Sequence, residues 1–300
     1  VFGATYVLMM SLMAAATLHE LRHWRNSETL FKQAIRRTDD NAPLLTNLAI
    51  DLMERGQNEE AGELLCFALS AAPEDPLTLT NMGAWDLANG RFEQATQAYA
   101  KALDTDPDYA LAHIGLAASL HERGHDSAAQ AHVDKALSID SLSWDMHNRA
   151  ANLMADMAEY GRARQLYEKA ARLNPLAWKP LLGRADMEFS LGRPGPALVY
   201  YKAALERRPP QARAYVKAGL ALLSTGFCRD SRTLFRRALA MDSVDCAALA
   251  GVISSFRREG LMDSAQSWID SLPGPCVGTT IIAEAVEQAA NHGSCNPRMK

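Results

Sequence analysis

A spacing of 34 residues governs this chain. Gly56, Gly90, Gly124, Ala158, Gly192, Gly226 and Gly260 are each 34 positions apart. Five positions after each comes Ala61, Ala95, Ala129, Ala163, Ala197, Ser231 or Ala265, and seven further on Ala68, Ala102, Ala136, Ala170, Ala204, Ala238 or Leu272. Between these lie Leu65, Tyr99, Val133, Tyr167, Tyr201, Phe235 and Ile269, while Pro73, Pro107, Pro175 and Pro209 recur near unit ends. The register passes through seven units without an insertion. A single helical pair cannot hide its apolar face, whereas stacked copies can, so a strict period of this length demands a stack. Each recurring residue has a mechanical reason. Small residues let neighbouring helices approach closely, and the aromatic or branched residue fills the space beside them. Glycine between two helices admits a tight turn, and proline closes the second helix.

Composition fits that reading and excludes others. A chain of 300 residues that is 48% hydrophobic has apolar material for a large core or an extended stack. A net charge of -4 gives no general attraction to nucleic acid, so no nucleic-acid partner is expected. Five cysteines are too few for a disulfide scaffold. Cys66 reads as a plain core residue, and Cys276 and Cys295 could pair in an oxidising compartment.

The beginning of the chain differs in kind. "VFGATYVLMMSLMAAATL" carries no charge through Leu18, and "HELRHWR" then turns abruptly polar. Eighteen residues approach the lower limit for a helix that crosses a bilayer. The expectation is the end of a transmembrane helix over 1–18, with a buried apolar helix at the start of the stack as the alternative. Arg22, Arg25, Lys32, Arg36 and Arg37, just after the apolar run, would favour a cytoplasmic side for the repeats.

The 34-residue pattern resembles the tetratricopeptide repeat family. The resemblance implies an all-α solenoid, a right-handed superhelix of antiparallel helix pairs. Its units would run 42–75, 76–109, 110–143, 144–177, 178–211, 212–245 and 246–279. A linker and half-repeat helix with Phe31 and Ala34 would occupy 19–41, a capping helix 280–291 and a flexible tail 292–300. Ala158 departs from the pattern at the turn, Ser141 and Ser243 stand where proline recurs elsewhere, and the last unit decays.

A narrower resemblance concerns the junction, where Trp24, Arg25, Asn26, Leu30 and Phe31 come after the apolar run. It is similar to multispanning membrane proteins with C-terminal tetratricopeptide repeats, the transmembrane O-mannosyltransferase-like group among them. That likeness implies a bilayer partner through 1–18 and repeats on the periplasmic or luminal side, against the basic flank. It also implies an alternative role, an accessory domain positioning an acceptor for a membrane glycosyltransferase. The leading reading is a membrane-tethered scaffold.

No stretch reads as an active site or a cofactor site. "HERGH", His121 to His125, matches the zinc-protease pattern, but that site needs both histidines on one unbroken helix. Gly124 is the turn residue of its unit, so the helix is expected to stop between them. His132 could lean back toward the two histidines, and the plain reading is solvated polar residues at a turn. "DTDPD" and "RRTDDN" read as caps between units rather than as a calcium loop.

A binding function belongs on the inner face of the superhelix. The family resemblance assigns that face to the first helix of each unit. Here it comprises Asn47, Asn81, His121, Asn148, Arg149, Asn152, Lys179, Asp186, Arg213, Lys217, Arg257 and Arg258. The asparagines can hold a peptide backbone without reading its side chains. The basic residues downstream would favour an acidic segment or a carboxyl terminus. The family's carboxylate clamp is only partly present: Asn152, Arg213 and Lys217 fit, whereas Asn148 stands where lysine is wanted and Gly183 where asparagine is. Leu77, Leu111, Ile114, Leu182, Phe189 and Leu220 in the same concavity would suit an amphipathic helix.

Overall fold

The structure is a computed structural model that describes residues 42–207 and 211–276. Those residues form α-helices and one 3-10 turn, with no strand among the described residues. The chain divides between Ser141 and Leu142 into two compact units. The first contains α1 (Ala42–Glu54), α2 (Asn58–Ala71), α3 (Pro76–Ala88), α4 (Phe92–Thr105), α5 (Ala110–Glu122) and α6 (Asp126–Ile139). The second contains α7 (Trp144–Asp156), α8 (Tyr160–Leu173), α9 (Lys179–Ser190), α10 (Pro194–Glu206), α11 (Ala212–Ser224), α12 (Cys228–Met241), α13 (Cys246–Arg258) and α14 (Met262–Asp270). A 3-10 turn, Gly274–Cys276, comes after α14. The result is an all-α solenoid of paired antiparallel helices.

Local chemistry sets where each helix starts and stops. Asp75, Ser143 and Asp245 cap α3, α7 and α13 by accepting from the N–H groups of Thr78 (2.8 Å), Met146 (3.2 Å) and Ala248 (2.9 Å). Each such cap is worth about 1 kcal/mol. Within a pair the first helix closes through a left-handed residue. The N–H of Arg91 reaches back to the Asp86 carbonyl and that of His125 to the Leu120 carbonyl, both at 2.9 Å. This closure requires positive φ, and Gly90 (71°) and Gly124 (77°) supply it without a Cβ penalty. Ala158 makes the same closure at φ 61°, the one non-glycine residue to do so among those described.

Packing is concentrated on a seam between helices. Ala95, Tyr99 and Ala102 on α4 are 0–2% exposed, as are Ser231, Phe235 and Ala238 on α12. A Cβ at Gly115 would stand 2.2 Å from the Tyr99 ring and one at Gly251 2.4 Å from Phe235, so each ring rests directly on a glycine of the next pair. Tyr167 rests on Gly183 in the same way. Full burial of one such side chain contributes about 1.5–3 kcal/mol. Tyr201 is the exception, packing on Ala185 and Ala218, with Lys217 at the position that Gly115, Gly183 and Gly251 hold elsewhere. Consecutive first helices also touch: α1, α3 and α5 in the first unit, α7, α9, α11 and α13 in the second. They line one face of each unit.

The membrane-tethered architecture is corrected. The described helices run 9 to 14 residues, about 14–21 Å at a rise of ~1.5 Å per residue, short of a ~30 Å hydrocarbon layer. Among the described residues no helix is long and apolar enough to cross a membrane. The transmembrane helix expected over 1–18 and the half-repeat over 19–41 lie outside the described residues, as do Pro209, the cap over 280–291 and the tail. No described element supports a bilayer partner, a periplasmic or luminal address, or an accessory role in a membrane glycosyltransferase.

Two cysteine expectations are corrected as well. Cys276 is bonded to Cys246, which stitches the 3-10 turn to the start of α13, and so cannot pair with Cys295. Cys228 is also disulfide-bonded. Cys66 is exposed and free rather than a core residue. The seam of α2 consists of Ala61, Leu65 and Ala68, and Cys66 is one residue, about 100°, out of phase with it.

Candidate functional site

The first-helix face of the second unit gathers most of the sequence-derived polar residues. Asp186 on α9 accepts from the Tyr201 hydroxyl of α10 at 2.7 Å and from Lys217 Nζ of α11. One carboxylate thus ties three helices of two consecutive pairs. Burial holds the Tyr201 hydroxyl far above its ordinary range, and the Asp186 charge and hydrogen bond add to the effect, so it stays a donor. One pair earlier, the Tyr167 hydroxyl of α8 donates to Asn152 Oδ1 of α7 at 2.7 Å. Burial first, then the charges of Asp156 and Asp186, raise that tyrosine too. The two contacts share a design, since each tyrosine stands 15 residues after the polar group it holds.

The basic residues of this face divide into held and free. Lys217 is held by Asp186. Arg258 donates to the Leu223 carbonyl near the end of α11, and burial lowers its pKa. Arg149 pairs with Asp145 one turn away on its own helix at 2.6 Å, and Arg257 is half-buried on α13. Lys179 at the start of α9 and Arg213 at the start of α11 are exposed. Neither makes an ion pair or hydrogen bond among the described residues. Asn148 is 6% exposed, and its Oδ1 lacks a partner among the described residues.

The first unit offers less. Asn47 is exposed on α1, and the Asn81 amide donates to the Leu77 carbonyl of its own helix at 2.8 Å. His121 near the end of α5 pairs with Asp126 at 2.7 Å, and His125 is the residue before α6, across the turn at Gly124. His132 turns away from both and meets His113, Nδ1 to Nδ1, at 2.9 Å. The HERGH stretch therefore straddles a turn, with His121 on α5 and His125 just before α6.

Sequence reasoning missed Tyr167 and Tyr201, reading them as gap-fillers of the seam. The available signal was the polar residue 15 positions upstream of each, Asn152 or Asp186, where the unit of Tyr99 has Ala84.

Comparison with known proteins agrees with this architecture. Two family models, each described as a tetratricopeptide repeat, match residues 86–157 and 148–212. No curated protein matches the chain. Among solved structures, the chain is similar to a tetratricopeptide repeat protein from Parabacteroides merdae ATCC 43184, at 22% identity and a TM-score of 0.57, covering 75% of this chain and 89% of that one. It is also similar to yeast Tom70, at 17% identity and a TM-score of 0.66, covering 87% of this chain and 57% of that one. A third similar structure is pilF of Pseudomonas aeruginosa, at 20% identity and a TM-score of 0.55, covering 71% of this chain and 97% of that one. At these identities the likeness establishes the fold, a solenoid of tetratricopeptide repeats.

Proposed function

We propose that the chain is a binding scaffold that holds an extended protein or peptide segment along the first helices of its second unit. The observation that carries this reading is the pair of exposed cations, Lys179 and Arg213, which have no partner among the described residues. They occupy the same place in consecutive helix pairs, and α9, which starts with Lys179, also carries the Asp186 that buried Tyr201 holds in position. Holding Asn152 and Asp186 before a ligand arrives lowers the ordering cost of binding. Asn152 has an amide left to meet a peptide backbone, and the free cations suit an acidic side chain or a carboxyl terminus. Arg257 and Arg258, at the end of α13, extend the basic stretch.

The test uses an array of short peptides, with the best binder then titrated against the purified chain. Lys179→Glu with Arg213→Glu should weaken that complex at least tenfold, about 1.4 kcal/mol. Raised salt should weaken the original complex more than the altered one. Both residues are exposed, so helicity should persist. Lys217 is left in place because a glutamate there would face Asp186. Unchanged affinity in the double variant would remove the cations from recognition.

A further inference from the structure

A second surface, in the first unit and on the other helix of a pair, departs from the repeat pattern at three positions that meet in space. Cys66, Phe67 and Gly62 lie on α2, and with Trp85 of α3 and two glutamates they line a groove of about 750 Å³. In the later units, the position of Phe67 holds Lys101, Lys135, Lys169, Ala203, Arg237 and Ser271. The position of Cys66 holds Ala100, Asp134, Glu168, Lys202, Arg236 and Asp270, and that of Gly62 always carries a side chain. The repeat therefore treats the first two as outward positions, whereas the third is an inner one in places, as at Leu198 and Arg232. Here alone they are a phenylalanine, 65% exposed, a thiol and a glycine. The seam of α2 needs neither Cys66 nor Phe67, being complete in Ala61, Leu65 and Ala68, whereas Gly62 is buried and gives the Trp85 ring its room.

Trp85 walls the groove and rests on Gly62, where a Cβ would stand 2.2 Å from its ring. The indole N–H donates to the Asn58 carbonyl at 2.7 Å, and the Arg91 guanidinium stacks on the ring at 3.9 Å. That wall is fixed before any ligand arrives. The α2 side of the rim is acidic: it carries Glu59, Glu60 and Glu63 and no basic residue. None of these carboxylates makes an ion pair or hydrogen bond among the described residues.

We infer that this groove is a docking site for a partner segment that places an apolar side chain between Phe67 and Trp85 and flanks it with lysine or arginine. The charge of the rim decides the class of occupant, since an acidic segment would meet carboxylates at Glu59 and Glu63, whereas a basic one neutralises them. The site is separate from the first-helix face of the second unit and does not depend on its role.

Cys66 supplies the reporter, and the probes are a helical peptide of lysine and leucine and its glutamate–leucine counterpart. The lysine peptide should bind the full chain and slow iodoacetamide alkylation of Cys66, read by peptide mass mapping, at least fivefold. The glutamate peptide should do neither. Glu59→Lys with Glu63→Lys, and separately Phe67→Ser, should each weaken the lysine peptide at least tenfold. All three residues are exposed, so the fold should not change. Arg213→Glu, on the second unit, should not weaken it. Equal binding of both peptides, unaltered Cys66 alkylation with the lysine peptide bound, or full affinity in the Glu59/Glu63 variant would each overturn the assignment. Protection of Cys66 that grows with protein concentration and no peptide would give the groove to a second copy, and would overturn it too.

Discussion

The two kinds of glycine in this chain do different work, and single substitutions separate them. Gly115 is required for space, because a Cβ there would meet Tyr99 at 2.2 and 2.3 Å. Gly115→Ala should therefore destabilise by about 1–3 kcal/mol, the usual cost of forcing atoms into a packed core. Gly124 has open space around it and is required for its φ of 77°. Ala158 tests that second requirement in reverse. It holds φ 61° with a Cβ, which costs about 1–2 kcal/mol, so Ala158→Gly should raise stability. The gain should be about 0.5–1 kcal/mol once the extra freedom of glycine in the unfolded chain is subtracted. Urea midpoints decide both cases, and a destabilised Ala158→Gly protein would mean that the alanine methyl makes a contact that matters more than its backbone strain.

Between helices, two features make measurable predictions and mark the limit of what local sequence can specify. His113 Nε2 must donate to the Pro107 carbonyl at 3.0 Å, which leaves its Nδ1 to accept from His132 Nδ1–H. Burial, then the neighbouring His113, hold the His132 pKa below its ordinary 6.5. The folded chain then binds fewer protons than the unfolded chain from 6.5 down to the depressed value. The contribution is complete above 6.5 and is lost as pH falls through that window. His132→Gln, which keeps a donor for His113, should flatten the dependence of the urea midpoint between pH 7.5 and 5. An identical slope in the variant would clear the pair of that role. At the far end, the Cys246–Cys276 bond closes a span of 30 residues, worth about 3–4 kcal/mol in the chain-entropy account. Cys246→Ser with Cys276→Ser, which leaves the Cys228 bond in place, should speed amide exchange in α13 and α14 and leave α7 to α10 unchanged. Helix pairing and turn positions were legible in the sequence because they stem from local sterics repeated at a fixed interval. The Asp186–Lys217 pair was not, since its members are 31 residues apart and meet only once two helix pairs have stacked. The partner of Cys276 was hidden for the same reason, and Cys66 was misread because one helical position separates the seam from solvent.

At the scale of the whole chain, each helix pair leans mainly on its neighbours, so a local defect should stay local. Gly115→Ala should raise amide exchange in α3 to α6 and Gly251→Ala in α11 to α14, each without altering the distant unit. Uniform loss of protection across all helices would instead mark the chain as one cooperative block. The rings that rest on glycine carry a further consequence, one for heredity. Tyr99 fits because the next repeat brings Gly115, Tyr167 because it brings Gly183, and Phe235 because it brings Gly251. The fit belongs to the junction, not to the unit. Excision of 110–143 would bring Tyr99 to a neighbour bearing Arg149 where Gly115 now stands, and a tandem copy of 76–109 would present it with Asn81. At those three junctions the loss or gain of a single repeat by slippage calls for a compensating substitution, whereas the Tyr201 junction already accommodates Lys217. The chain's order of repeats is inherited as a sentence rather than as a string of interchangeable words.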